Sequence, residues 1–311
     1  MEEKTRDFDE EFESIYREVY ENCETKLKEN KDKLNKFLII VFFVLAVINL
    51  VIYIAAEAKF IVTGTLGISF CIMLFLLIQG REIYKKSYKN NVINALVRSY
   101  NPKLYFDQKM GMSKFDYTMS NFDSSFNEFF SEDQIYGTLE NGTKVKIAEV
   151  ATAIINKTKD ANGNEKTDRT ETFRGMYGTI KLPYNVTSRI YIYNDSITNR
   201  FSGDRIEIDS SEFEKYYDCF STEKVTALRI LTAEVIEKFN EIRRNSKYAF
   251  ELKLEDDMIY YRYKCGRLFE PPTFGSGLDK ELIKKYYRFI YYPLEIIEKM
   301  SENVKTYMEQ G

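Results

Sequence analysis

Two apolar runs separated by three residues constrain this chain more than any other feature. Residues 37–56 read FLIIVFFVLAVINLVIYIAA, with Asn49 the one clearly polar side chain, and residues 60–78 read FIVTGTLGISFCIMLFLLI without a charge. At about 1.5 Å per residue, a helix of this length spans roughly 30 Å, the hydrocarbon thickness of a bilayer. Gly64, Thr65, Gly67 and Ser69 are small enough to allow close helix approach. The pattern predicts a transmembrane hairpin, with a buried helical hairpin of a soluble core as the alternative. The first run starts too deep in the chain, is too long and lacks an Ala-x-Ala exit, so no cleaved signal peptide is expected.

Basic residues set the expected orientation. Lys26, Lys28, Lys31, Lys33 and Lys36 precede the first run, and Arg81, Lys85, Lys86 and Lys89 follow the second, while the connection of Glu57, Ala58 and Lys59 carries one lysine. Both flanks are therefore expected on the cytoplasmic face of the cell membrane, as a two-span protein with both termini cytoplasmic. Cysteine usage agrees: Cys23, Cys71, Cys219 and Cys265 show no CxxC spacing, as expected of reduced single thiols acting as small hydrophobes.

The chain has 311 residues and no histidine, which removes Ser-His-Asp and Cys-His nucleophile pairs, imidazole bases and His-containing zinc sites. A formal charge of −3, with 45 basic against 48 acidic residues, argues against a nucleic-acid partner. No cofactor and no metal ligand set is assigned.

Outside the apolar runs, the period of the hydrophobic residues marks the elements. Residues 6–36 form an amphipathic helix running into the first span, because Phe8, Phe12, Ile15, Val19, Cys23 and Leu27 recur at steps of three and four. Helical period continues over residues 81–100 and stops at Asn101-Pro102. Then the period changes to two. Residues 135–139 and 144–155 flank Asn141-Gly142, a strong hairpin signal. A turn at residues 160–164 leads to strands at 172–182, 189–193 and 205–208. One helix is expected over 222–243. A hairpin follows, with arms at 248–254 and 259–263 turning at Glu255-Asp256-Asp257, then a loop to Gly277 and a last helix over 278–307 with a kink at Pro293. The expected fold class is α+β: an N-terminal helix (1–36), a two-helix transmembrane hairpin (37–78, spans 37–56 and 60–78), a membrane-proximal helix (79–102), and a soluble cytoplasmic domain (103–311) with a largely antiparallel sheet and packed helices.

With these elements in order, the chain resembles the bacterial membrane proteins of domain-of-unknown-function family 3137. The matching stretches are residues 131–137 (SEDQIYG), 172–178 (TFRGMYG), 208–217 (IDSSEFEKYY), 226–232 (TALRILT) and the strand pattern ending at 259–261 (IYY), a likeness covering roughly residues 30–265. The resemblance implies a two-span, membrane-anchored cytoplasmic α+β domain. It implies no reaction, and it suggests a LemA-like membrane protein as a partner.

Several segments carry candidate chemistry. Glu255-Asp256-Asp257 with Asp209 could hold a hard cation, but aspartates at that position suit a turn. The segment 275–280, GSGLDK, precedes a helix and lacks the phosphate-loop spacings, so Ser276 or Asp279 is expected as a helix cap. Residues 210–214, SSEFE, fit a capping box with Ser211 as cap and Glu214 three residues on. Tyr260, Tyr261, Tyr263, Tyr286, Tyr287, Tyr291 and Tyr292 form either an aromatic binding wall or a core. The spans carry no ionisable group, which favours an anchor over a pore.

The expected function is that of a binding or scaffolding protein that recruits a protein partner to the inner face of the cell membrane; the alternative is a membrane-anchored carboxylate/metal-dependent hydrolase. Phe8, Phe12, Ile15 and Val19 are the expected partner-binding residues. Left in water they would expose a stripe in which each side chain is worth roughly 1.5–3 kcal/mol on burial, so they are expected to pack on the chain's own helices or on another chain, a second copy included.

Overall fold

The structure is a computed structural model that describes residues 8–55, 59–122, 125–159, 165–194, 203–246, 248, 250–272 and 277–310. Most of the connection at 57–59, the turn at 160–164, and Gly275 and Ser276 lie outside them. The chain divides into two compact units, Met1–Ala95 with Glu270–Lys284, and Leu96–Phe269 with Lys285–Gly311.

The first unit is helical. Helix α1, Phe8–Ala55, is one uninterrupted element of 48 residues, in which the amphipathic stretch runs without a break into the first apolar run. Helix α2, Lys59–Tyr88, carries the second run. Both are long and apolar enough to cross a membrane, and their apolar stretches are almost entirely uncovered by the rest of the chain. Gly80 marks a close approach: a Cβ there would sit 2.8 Å from a methyl of Leu34, which would have to move to make room. The unbroken helix expected over 81–100 instead has a π-helical turn, Lys89–Ile93, before α3, Asn94–Tyr100. The Asn91 amide donates to the Ser87 carbonyl at 2.7 Å, and the Cys23 thiol of α1 donates to the Asn91 carbonyl at 3.5 Å. Side chains thereby occupy carbonyls in and beside the altered ladder. Glu270 is held to α2 by Lys85 at 2.8 Å, with the buried Lys89 amine at 3.9 Å.

The second unit is a seven-stranded antiparallel sheet with helices. Its strands are β1 (Leu104–Asp107), β2 (Glu128–Thr138), β3 (Lys144–Lys159), β4 (Glu165–Asn194), β5 (Asp204–Ile206), β6 (Tyr217–Ser221) and β7 (Phe250–Tyr263), in the order β1-β2-β3-β4-β6-β5 with β7 paired to β4. The short helices α4 (Lys114–Met119) and α5 (Ser211–Glu214) join α6 (Lys224–Ile230), α7 (Ala233–Asn245) and α8 (Lys280–Gln310). Asn141-Gly142 forms the expected β2–β3 turn: Gly142 has φ +86°, and the Leu139 N–H donates to the Thr143 carbonyl at 2.9 Å.

Strand β4 is the spine, buried on both faces. Its Phe173, Tyr177, Tyr191 and Tyr193 join Met112, Tyr117, Phe122 and Val150 in one cluster, while Met176, Ile180, Ile190 and Ile192, of opposite parity along the strand, are buried as well. β4 and β7 bend together. Met176 pairs with Tyr263 and Ile190 with Leu254, with register shifts between Lys181 and Ile190. Asp256 takes φ +55°, and the ends of β7 meet, since the Phe250 and Tyr263 rings lie 5.7 Å apart and Glu251 bonds to Arg262. A straight strand would hold those ends roughly 40 Å apart. The reversal expected at Glu255-Asp256-Asp257 is thus present, inside one continuous strand, and the two strands expected at 172–182 and 189–193 are arms of β4.

Three local expectations are corrected. The single helix over 222–243 breaks between α6 and α7, where Thr232 is extended; the Asn303 amide donates to the Ile230 carbonyl at 2.8 Å and to the Thr232 hydroxyl at 3.1 Å, taking up acceptors at the break. The cap of α5 is Ser210, whose Oγ accepts from the Phe213 N–H at 3.3 Å, and not Ser211; Glu214 accepts from the Ile208 N–H at 2.7 Å. Strands β1 and β6 and the first half of β2 lie outside the strands expected from the sequence. Asp279 caps α8 as expected, accepting from the Leu282 N–H at 3.0 Å.

Candidate functional site

The expected partner-binding stripe is closed within the chain. Phe12 and Val19 are fully buried, Ile15 is buried and Phe8 is half-buried. The start of α8, which belongs to the same unit, reaches this part of α1 with two lysines. Lys280 Nζ lies 2.7 Å from Glu13 and Lys284 Nζ 2.7 Å from Asp9; Lys284 also stands over the Phe12 ring at 5.7 Å and Lys280 over the Tyr16 ring at 5.4 Å. Burial raises the Tyr16 hydroxyl above its ordinary pKa, and the hydrogen bond to Glu13 raises that of Lys280.

Further along α1, just ahead of the apolar run, a cavity of about 260 Å³ opens among Leu27, Lys28, Lys31, Tyr84 and Leu278, with Glu24 on its wall. Beyond it the Asn49 amide of the first apolar run donates to Ser69 Oγ of the second at 2.7 Å and to the Leu45 carbonyl of its own helix at 2.8 Å.

In the second unit the structure brings two neighbouring carboxylates of β2 together with one from β3, sixteen residues beyond the second of them. Oxygens of Glu132, Asp133 and Glu149 lie within 4.8 Å of one another. A β-bulge brings them together: Glu132 pairs with Glu149 and Ile135 with Ile147, so Asp133 and Gln134 both stand opposite Ala148. Asp133 takes φ +58°, a left-handed conformation aspartate tolerates better than most residues, and the Gln134 N–H donates to the Met110 carbonyl at 3.2 Å. Glu149 accepts from the Leu268 N–H at 2.8 Å and from Arg174 Nη1 at 3.3 Å. Asp133 and Glu149 are buried and Glu132 is half-buried. The group fits a hard cation by donor type. Asp209 and residues 255–257 are not among the described residues that converge in this way; Asp257 instead pairs with Lys181 at 3.2 Å.

The seven tyrosines singled out in the sequence are all buried. Two of them, Tyr263 and Tyr292, also line a cavity of about 280 Å³, together with Tyr248, Phe289 and the cations Lys285 and Arg288; Asn245 and Ser246 complete its rim. Tyr248 meets Tyr263 edge-on at 6.4 Å, and Tyr263 meets Phe289 edge-on at 5.5 Å. Burial pushes the Tyr263 hydroxyl well above its ordinary pKa, so it stays protonated as a hydrogen-bond donor. Sequence reasoning named the tyrosines but not the cavity, because its walls come from the end of α7, the end of β7 and the middle of α8.

Residues 171–302 match a family model described as Protein of unknown function (DUF3137). The match includes every residue that lines the second cavity and none of the three converging carboxylates. No curated protein matches the chain. Among solved structures, the mycobacterial trehalose monomycolate transport factor A, TtfA, is similar at 8% identity, covering 69% of this chain and 94% of that chain with a TM-score of 0.36.

Proposed function

We propose that this chain is a membrane-anchored binding protein of that family: the hairpin of residues 37–78 lies in the cell membrane, both flanks lie on its cytoplasmic face, and the α+β body holds a protein partner there. The observation that carries the reading is the outward display of the apolar helices. Phe43, Ile54 and Phe70 are 62%, 76% and 69% exposed, amid a continuous apolar surface that lipid covers and water does not tolerate. The basic residues on both flanks support the orientation. The partner is a LemA-like membrane protein or a second copy of the chain. A partner that uses Phe8, Phe12, Ile15 and Val19 has to displace the chain's own residues from them.

Two measurements test the reading. In intact cells, a reporter at Ala58→Cys should react with an impermeant maleimide and one at the exposed Lys166→Cys should not; the reverse pattern overturns the orientation. Cys219 and Cys265 serve poorly as reporters, because burial pushes both thiols up to about 12. Replacing residues 37–78 by a polar linker should move the chain, with the proteins cross-linked to it in cells, into the soluble fraction. A cross-link profile no different from that of the hairpin expressed alone would sink the recruiting role.

The metal-dependent hydrolase reading has one observation in its favour, the convergence of Glu132, Asp133 and Glu149. Two of the three are buried, and Glu149 is already engaged by a backbone N–H and a guanidinium, which favours a role in holding the bulge.

A further inference from the structure

We propose that the cavity between α7, β7 and α8 is a binding site for a small molecule carrying a phosphate, or an equivalent dianion, on an aromatic ring. Its charge is the first argument. Lys285 and Arg288 lie at i and i+3 on α8 and line the same cavity, and no described lining residue is a carboxylate. Lys285 is exposed and makes no ion pair among the described residues, while Arg288 is half-buried. A dianion seated at both would gain charge-assisted hydrogen bonds from two directions. Arg288 supplies a planar fork that suits two oxygens of one group, and Lys285 a mobile point charge.

The walls are the second argument. Tyr248 meets Tyr263 edge-on, Tyr263 meets Phe289 edge-on, and all three line the cavity, so its wall is aromatic and suits the packing of another ring. Tyr263 and Tyr292 are buried and form its inner wall, while Lys285 and Arg288 stand where it opens to solvent. At about 280 Å³ it lies just under the range of pockets for drug-sized ligands, which suits a single ring with its anion and not a peptide. The proposal does not depend on membrane anchoring and fails separately from it.

The test uses the full chain in a non-ionic detergent, titrated calorimetrically with phenyl phosphate, inorganic phosphate, benzoate and benzyl alcohol. Phenyl phosphate should bind saturably at millimolar concentration or below, more tightly than inorganic phosphate or benzoate, with no binding of benzyl alcohol. Arg288→Gln should weaken phenyl phosphate by about tenfold or more, as expected for loss of a charge-assisted hydrogen bond. Lys285→Glu, at an exposed position that leaves folding intact, should weaken it at least as much and serves if Arg288→Gln does not fold. Absence of saturable phenyl phosphate binding overturns the proposal. So does binding that survives Lys285→Glu unchanged, or that benzyl alcohol matches.

Discussion

The side-chain amide of Asn49 donates to the hydroxyl of Ser69 at 2.7 Å, a hydrogen bond between the two apolar helices at a depth where neither has another strongly polar neighbour in its own sequence run. Away from water, such a bond contributes about 0.6 kcal/mol on average and up to about 1.7 kcal/mol. A double-mutant cycle of Asn49→Leu and Ser69→Ala, read by unfolding in mixed detergent micelles, should give a coupling energy within that range. A coupling of zero would show that the two side chains act independently.

The stripe on α1 is core, and its substitution should be costly. Phe12→Ala and Val19→Ala remove fully buried groups. The first should cost about 3–5 kcal/mol and the second somewhat less. Denaturant midpoints of the full chain measure this, and losses under about 1 kcal/mol would mean that the stripe is not packed in solution.

Lys253 gives the body a pH signature. Its amine is buried, donates to the carbonyls of Ser120 at 2.5 Å and Asn121 at 3.4 Å, and is pushed down by burial from 10.5 to about 8. Because the folded value is the lower one, the unfolded chain holds more protons between the two values, and stability rises with pH across that window. Relative to Lys253→Met, the wild type should gain about 2 kcal/mol between roughly pH 7 and 9.5. Parallel stability curves for the two proteins would contradict the burial argument.

Glu149 tests the converging carboxylates. If it holds the bulge, Glu149→Gln weakens its bonds to the Leu268 N–H and to Arg174, which keeps Glu171 at 2.8 Å, and should cost about 1–3 kcal/mol, whereas Mn²⁺ or Mg²⁺ should leave the thermal midpoint of the wild type unchanged. A saturable rise of the midpoint with either cation, lost in Glu132→Gln, would favour the metal reading.

The sequence disclosed the elements that a local period controls. Phe8, Phe12, Ile15, Val19, Cys23 and Leu27 announce their helix, and Asn141-Gly142 announces its turn, because neighbours within a few residues decide both. Where a distant side chain decides, the sequence was silent. The break between α6 and α7 depends on Asn303, seventy-one residues beyond Thr232. The π-helical turn has a side-chain contact from Cys23, sixty-eight residues before Asn91. The converging carboxylates depend on a bulge whose sequence, Glu132-Asp133-Gln134, reads as ordinary polar strand until Asp133 is seen to take a positive φ. The second cavity is assembled from three segments, and only its tyrosines drew notice.

Helix α1 runs from Phe8 to Ala55 with no glycine or proline in it. The portion ahead of the apolar run, residues 8–36, is roughly 43 Å long at 1.5 Å per residue. In a bilayer such a helix is a lever whose fulcrum is the membrane surface. Tilting the span by about 10° would swing Phe8 sideways by roughly 7 Å, and spans tilt by such amounts when bilayer thickness changes. A small adjustment to lipid thickness would therefore arrive at the far end of the helix as a displacement larger than a side chain.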